Sequence, residues 1–152
     1  MLPALPLLDI WFQVPDDRPN WNMAYSLAIA GFGFALTVEP GVALEADPDL
    51  MSQVLINLIR NAAQAARGHA AEPQVWLRFS RTRSNRSQIE VADNGPGVPE
   101  ALRQDIFLPF FTTKQEGTGV GLSLARQVVL AHRGAINVVD REGGGALFRI
   151  VI

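Results

Sequence analysis

The sequence contains no cysteine, one lysine and two histidines among its 152 residues. Without cysteine it can form neither a disulfide nor a thiolate metal site, which suits a cytoplasmic domain. Its formal charge of -2 argues against a surface built for general nucleic-acid binding, so no nucleic-acid partner is expected. What is present, 48% apolar and 18% charged residues, is the composition of one globular domain that can bury its own core.

The sequence also lacks an apolar run long enough to cross a bilayer. Its longest one, residues 24–38, is interrupted by two glycines and is shorter than the roughly 18 residues that a membrane span needs. The apolar N-terminus has no basic start and contains prolines, so it does not predict a signal peptide. We expect a leader or linker stub over residues 1–20, a folded domain over residues 21–152, and no membrane contact by this domain.

The apolar periodicity predicts both helices and strands. The predicted helices cover residues 22–30, 48–67, 99–105 and 122 to about 132. The predicted strands cover residues 35–45, 75–79, 89–91, 135–139 and 146–151, with turns at residues 40–41, 84–86 and 143–145.

The predicted helix over residues 48–67 carries a polar row beside an apolar face. Asp47 can cap its first turn, Pro48 is tolerated at the first helical position, and Gly68 can end it. Its apolar face comprises Leu50, Val54, Leu55, Leu58, Ile59 and Ala62. The polar row, with spacings of three and four, comprises Gln53, Asn57, Asn61 and Gln64. Such a row beside a core face predicts a binding partner.

Two glycine-bearing segments predict opposite walls of a nucleotide pocket. Residues 93–97 place Asp93 at the end of an apolar strand, where its carboxylate can accept a hydrogen bond from the amino group of adenine. Residues 117–121 run straight into a helix, so their amides lie at a helix N-terminus, where phosphate is favoured. The alternatives are that Asp93 only caps a turn and that the second segment is a flexible linker. Taken together, the two segments predict ATP.

Asn57 and Asn61 lie one helical turn apart and carry carbonyl oxygens that suit Mg²⁺. The alternative is a pair of water-exposed asparagines. Since asparagine is a mediocre helix former, two of them beside an apolar face favour a functional role. His69 and His132 lie near predicted helix ends, where histidine often contacts terminal carbonyls, and neither has metal-ligand spacing.

A lysine and three phenylalanines precede the second glycine segment. Lys114, beside Thr112 and Thr113, could meet a phosphate as a point charge or could be an exposed loop lysine. The aromatic residues are either anchors for a mobile lid or plain core; they are Phe107, Phe110 and Phe111.

These motifs together resemble the ATP-binding catalytic (HATPase) domain of two-component sensor histidine kinases, in the superfamily of gyrase, MutL and chaperone ATPases. Residues 57–62 look like its N box, residues 93–97 like its G1 box, residues 107–111 like its F box and residues 117–122 like its G2 box. The likeness extends from about Ala35 to the C-terminus.

The resemblance implies an α/β (α+β) two-layer sandwich. Its mixed, mostly antiparallel sheet would carry helices on one face and a nucleotide lid over about residues 98–116. By that likeness Asn61 would bind Mg²⁺, and Asn57 and Asn61 would be catalytic. The nucleotide would be bound by Asn57, Asn61, Gln64, Asp93, Gly95, Gly97, Val98, Phe107, Thr113, Lys114, Gly117, Thr118, Gly119, Val120, Gly121 and Leu122.

The resemblance also implies a reaction. ATP-hydrolysing relatives usually carry a glutamate where this chain has Asn57, and an amide cannot take a proton from water, so phosphoryl transfer is expected. The acceptor would be a histidine on a separate dimerisation domain, in a parent that could be membrane-anchored, and a response regulator would act downstream. The domain alone would then be inactive as an autokinase. The alternative is an ATP-binding regulatory module that docks on a partner.

Two positions depart from the family pattern. Gln64 replaces a basic residue that many relatives have near the phosphates, and Arg133 interrupts the usual His-Gly-Gly ending of the G2 helix.

Overall fold

A computed structural model of the protein describes residues 5–6, 33–113 and 117–152. The predicted helix over residues 22–30 and Lys114 lie outside these ranges. The helices are α1 (Pro48–Arg67) and α2 (Gly121–Ala131). The strands are β1 (Leu5–Pro6), β2 (Gly33–Val38), β3 (Ala43–Leu44), β4 (Gln74–Arg81), β5 (Ser87–Asp93), β6 (Ala135–Asp140) and β7 (Ala146–Val151).

Five strands form one mixed sheet in the order β2-β4-β5-β7-β6. β2 runs parallel to β4, and the other neighbours are antiparallel. The short strands β1 and β3 pair antiparallel with each other. Helix α1 packs on β4 and β5, α2 packs on β6, and the two helices contact each other on one face of the sheet. The predicted two-layer α/β architecture is confirmed.

Helix α1 begins and ends where the sequence predicts. The Asp47 carboxylate accepts hydrogen bonds from the backbone N–H groups of Asp49 and Leu50, each at 3.0 Å, and so satisfies donors that have no partner inside the helix. Gly68 follows the last helical residue with a right-handed φ of -75°, so the helix ends there without the left-handed conformation that glycine permits.

The core lies between α1 and the sheet. On α1 the prediction was wrong at Leu50, which is 45% exposed; Met51 is buried instead, because it lines up with Leu55 and Leu58 at helical spacing. Burying each large apolar side chain contributes about 1.5–3 kcal/mol. The facing strands contribute alternate buried residues, namely Val75, Leu77, Phe79, Ile89 and Val91.

The helix predicted over residues 99–105 is replaced by two short 3-10 turns, Glu100–Leu102 and Asp105–Phe107. Nowhere in the ranges 33–113 and 117–152 does a helix combine the length and apolarity needed to span a membrane.

His132 joins the ends of the two helices. Its Nε2 accepts a hydrogen bond from the backbone N–H of Asp47 at 3.0 Å, so the proton is on Nδ1, which donates to the Val128 carbonyl at 2.8 Å. The predicted contact of His132 with a terminal carbonyl is confirmed, and its role is structural.

Candidate functional site

A cavity of about 490 Å³ lies between α1, the loop after β5 and the start of α2. From α1 it is lined by Asn57, Arg60, Asn61, Gln64 and Ala65. The loops and the start of α2 contribute Asp93, Pro96, Gly97, Val98, Ile106, Phe111, Thr112, Thr113, Gly117, Thr118, Gly119, Gly121 and Leu122. Strand β7 contributes Ala146 and Phe148.

The structure brings most of the predicted site residues to this cavity. Three of them do not line it: Gly95, Phe107 and Val120. Phe107 is 5% exposed, and its ring packs edge-on against Phe148 at a centroid distance of 6.3 Å, so it is core behind the cavity wall. Val120 is 43% exposed, because its side chain points to solvent just before α2 begins. Lys114 falls outside the described residues.

Asp93 is a buried carboxylate at the end of β5, with 1% of its surface exposed. Its Oδ1 accepts hydrogen bonds from the backbone N–H groups of Gly95 at 2.8 Å and Ala146 at 3.4 Å. Backbone donors hold the carboxylate in place, so burial does not leave it without partners. The alternative interpretation from the sequence, that Asp93 caps a turn, therefore also applies, because its carboxylate accepts the hydrogen bond from Gly95 N–H.

Glycines surround Asp93 where a side chain would collide. A Cβ on Gly95 would lie 2.8 Å from the Ala65 carbonyl carbon of α1 and from Asp93 Oδ1. A Cβ on Gly145, which has φ of +103°, would collide with the Asp93 carbonyl oxygen. Gly95 therefore serves the site indirectly, by letting the loop after β5 pass close to α1.

The polar row of α1 faces the start of α2. Asn57 Nδ2 donates to the Gly121 carbonyl at 3.4 Å, and Asn57 Oδ1 accepts from Gln53 Nε2, also at 3.4 Å. Asn61 is half-buried and makes no hydrogen bond within the described part of the chain. Its amide oxygen is thus available to a ligand or a cation in the cavity.

Contacts along α1 give the cavity two distinct ends. Ala65 lies against Gly95 and so marks the Asp93 end, whereas Asn57 lies against Gly121 and marks the glycine end. Ala65 follows Asn57 by eight positions of helix, an axial distance of about 12 Å. We call these the base end and the phosphate end, since a buried acceptor and a helix N-terminus suit those two parts of a nucleotide.

The phosphate end is built from strained and open backbone. Gly119 has φ of +67°, and its carbonyl accepts a hydrogen bond from Phe110 N–H at 2.9 Å. Phe110 itself has φ of +65° and is 79% exposed. No side chain caps the N-terminus of α2 at Val120, so its first amides are open to an anion.

Sequence reasoning missed several lining residues. Arg60 and Ala65 share the helix with the predicted asparagines and could have been found by helical spacing. Ala146 and Phe148 could not, because they reach the cavity only through the pairing of β7 with β5, in which Ala92 is opposite Leu147. Phe111, which the sequence predicted as a lid anchor or core residue and not as part of the site, and Thr112 lie in the irregular loop after the second 3-10 turn, which has no periodicity to interpret.

Comparison with known proteins agrees with a nucleotide-binding site. The sequence profile described as "Histidine kinase-, DNA gyrase B-, and HSP90-like ATPase" matches residues 46–152. The chain belongs to this family. It is 38% identical over 109 residues to the signal transduction histidine-protein kinase AtoS of Escherichia coli (strain K12), covering 72% of this chain and 17% of AtoS. It is 41% identical over 105 residues to the sensor protein kinase PilS of Pseudomonas aeruginosa, covering 68% of this chain and 20% of PilS. The chain thus spans about a fifth of these relatives.

Solved structures agree with the sequence relatives. The catalytic domain of histidine kinase ThkA superposes with a TM-score of 0.75 at 30% identity, covering 87% of this chain and 86% of that one. Full-length ShkA in complex with AMPPNP gives 0.75 at 26% identity, covering 99% of this chain and 30% of ShkA. ThkA in complex with the response regulator TrrA gives 0.71 at 27% identity, covering 87% of this chain and 37% of ThkA. The resemblance to histidine kinase ATP-binding catalytic domains is confirmed.

Proposed function

We propose that this domain binds Mg-ATP and donates its γ-phosphoryl group to a histidine on a separate helical dimerisation domain. The observation that carries the proposal is the two-ended cavity. A buried carboxylate lies at one end and an uncapped helix N-terminus at the other, and the α1 residues that contact these ends, Ala65 and Asn57, are about 12 Å apart along the helix. That spacing suits a nucleotide with its adenine at Asp93 and its phosphates at residues 117–121.

The residues present fit Mg²⁺ bound together with the nucleotide. Mg²⁺ takes oxygen ligands and usually keeps waters and phosphate oxygens, so one amide oxygen from the protein is enough. Asn61 lines the cavity, is half-buried and has an uncommitted amide among the described residues. No cluster of three or more acidic, histidine or cysteine side chains competes for the ion in the part of the chain that the structure describes. Bound there, the ion would neutralise phosphate charge.

The chemistry favours transfer over hydrolysis. Asn57 lies beside the start of α2 and binds the Gly121 carbonyl through its amide, so this position offers no base to deprotonate water. In transfer, a nitrogen of the acceptor histidine attacks the γ-phosphorus, the bond from that phosphorus to the β-phosphate oxygen breaks, and ADP leaves. Such a step needs positioning and charge neutralisation more than acid–base groups. The phosphorylated histidine would then supply a response regulator, the partner with which the related ThkA has been solved.

Calorimetric titration tests the binding half of this proposal. We expect the wild-type chain to bind ATP and ADP in the presence of Mg²⁺. Asp93→Asn keeps the Oδ1 acceptor for Gly95 but replaces a carboxylate oxygen with an NH₂ donor, which opposes the adenine amino group. The affinity for ATP should fall by at least about tenfold, as expected when a hydrogen bond to a charged group is lost.

Mixing with a phosphoacceptor tests the transfer half. The helical dimerisation domain of a related histidine kinase is added to the domain with radiolabelled ATP. We expect acid-labile label on the acceptor histidine, and none when that histidine is replaced by glutamine. Tight ATP binding without transfer to any acceptor would instead favour the alternative, a regulatory module that docks on a partner.

A further inference from the structure

The phosphate end of the cavity is lined mainly by neutral groups. Amides from α1, threonine hydroxyls and glycine backbone surround the space where the proposed function places the phosphates. Among the lining residues that the structure describes, Arg60 is the one cation and Asp93 the one acid. A phosphate chain carries several negative charges, of which a bound Mg²⁺ would offset only part, so neutral donors would leave the remaining charge uncompensated.

The position of Arg60 on α1 brings its charge toward the phosphate end. Arg60 follows Asn57 by three residues, an axial rise of about 4.5 Å, and precedes Ala65 by about 7.5 Å. Residues three apart lie on neighbouring parts of one helix face, so Arg60 flanks the polar row. The acid and the cation of the cavity are thus separated along α1, with Asp93 near Ala65 and Arg60 closer to Asn57.

Nothing in the described part of the chain holds the Arg60 guanidinium. The side chain is exposed at the cavity rim, and neither of the two ion pairs seen among these residues involves it. Gln64, one turn after Arg60 on the same edge of α1, is uncharged. A free guanidinium can donate two parallel N–H groups to phosphate oxygens and carries a full positive charge. The neutral amide of Gln64 does not supply that charge.

We infer that Arg60 binds the phosphate chain of the nucleotide and neutralises part of its charge. This inference rests on the proposed function, because it needs a nucleotide oriented with its phosphates at the glycine segment. Arg60 thereby makes the site selective for phosphorylated adenine nucleotides over the nucleoside. The contact is at the rim and in partial contact with water, so its contribution depends on ionic strength.

The test compares Arg60→Gln with Arg67→Gln by calorimetry of ATP and by NMR titration of adenosine. Arg67 is also exposed and on α1, but it does not line the cavity, so its variant matches the change in net charge. Arg60→Gln should weaken ATP binding by about tenfold, the effect of losing a hydrogen bond between charged groups. Its affinity for adenosine, and the affinity of Arg67→Gln for both ligands, should stay within about twofold of wild type.

Salt concentration gives a second, independent measurement. The ratio of wild-type to Arg60→Gln affinity for ATP should shrink as NaCl is raised from low to high concentration, because the lost contact is ionic. A ratio that does not change with salt would overturn the inference. So would equal losses of ATP and adenosine affinity, since a loss of both would mean a general change in the cavity.

The role of Arg60 and the proposed function can fail separately. If the wild type binds ATP and Arg60→Gln binds it as well as Arg67→Gln does, the role of Arg60 is wrong and the proposed function stands. If the folded wild-type domain binds neither ATP nor adenosine, the proposed function fails and the role of Arg60 falls with it.

Discussion

Arg133 has a backbone conformation that residues with side chains rarely adopt. Its φ is +57°, in the turn after α2, where histidine kinase catalytic domains usually have glycine. For a residue with a Cβ, this left-handed conformation costs about 1–2 kcal/mol. Its hydrogen bonds to other described residues use its backbone: the Arg133 N–H donates to the Leu130 carbonyl, and the Arg133 carbonyl accepts from Arg86. The departure from the family pattern therefore carries a local cost in stability.

Replacing this residue should stabilise the domain. Arg133→Gly removes the steric cost, and the gain is partly offset because glycine is more flexible in the unfolded chain. We expect a net increase of about 0.5–1 kcal/mol in the free energy of unfolding, measured by urea denaturation. Arg133→Ala removes the same side chain but keeps the strained φ, and it should give no increase. An equal increase in both variants would show that the side chain, and not the backbone, was responsible.

At the level of whole elements, the glycine segment before α2 has one position that cannot change and one that can. A Cβ on Gly119 would lie 2.5 Å from the Phe110 carbonyl carbon and 2.8 Å from the Phe111 carbonyl oxygen, both backbone atoms. A Cβ on Gly121 would make only ordinary contacts with Asn57, the nearest at 3.6 Å. The segment is therefore packed tightly against the F-box residues at Gly119 but not at Gly121.

These contacts predict different outcomes for two alanine substitutions in one motif. Gly119→Ala should displace the loop and weaken ATP binding by more than tenfold, whereas Gly121→Ala should leave it within about threefold. Gly41→Ala is the control, because Gly41 also has a left-handed φ, +75°, but has nothing within 4 Å of its Cβ position. It should lower stability by about 1 kcal/mol without affecting ATP binding. If Gly119→Ala bound ATP normally, the assignment of this segment to the phosphates would be wrong.

The cap of α1 is a second prediction at this scale. Asp47→Ala removes the acceptor for two backbone N–H groups and should cost about 1 kcal/mol of stability. Asp47→Asn keeps an acceptor at the same place and should cost much less. Thermal unfolding monitored by circular dichroism distinguishes them, and similar losses in both would show that the charge near the helix N-terminus matters more than the cap.

The boundaries of α1 could be predicted because a cap, the apolar periodicity and a glycine agree there. The positions of β4, β5, α2 and the last hairpin could also be predicted, although β4 and β5 extend up to two residues beyond the predicted strands at each end. The helix expected over residues 99–105 could not, since the stretch is too short for its periodicity to separate an α-helix from 3-10 turns. At the site, spacing along α1 identified Asn57 and Asn61, but lining residues contributed by β7 depend on strand register, which the sequence pattern leaves open.

For the molecule as a whole, the proposed division of labour predicts inactivity in isolation. Incubated alone with Mg-ATP, the chain should incorporate no phosphate of the kind carried by phosphohistidine, which is lost in acid and kept in alkali. The reason is that the acceptor histidine is expected on another domain. Both ring nitrogens of His132 are engaged in hydrogen bonds, and His69 is an exposed residue just after α1 that does not line the cavity. Autoradiography after alkaline transfer measures this, and stable label on His69 or His132 would contradict the proposal.

The order of strands in the sheet has a consequence for synthesis of the protein. Strand β7 follows β6 in the chain yet lies between β5 and β6, and the N–H of its first residue, Ala146, donates to the buried carboxylate of Asp93. Sheet and base end are therefore both incomplete until residues 146–151 have emerged from the ribosome. A nascent chain stalled before that point already contains every motif of the nucleotide site, but it should not retain ATP.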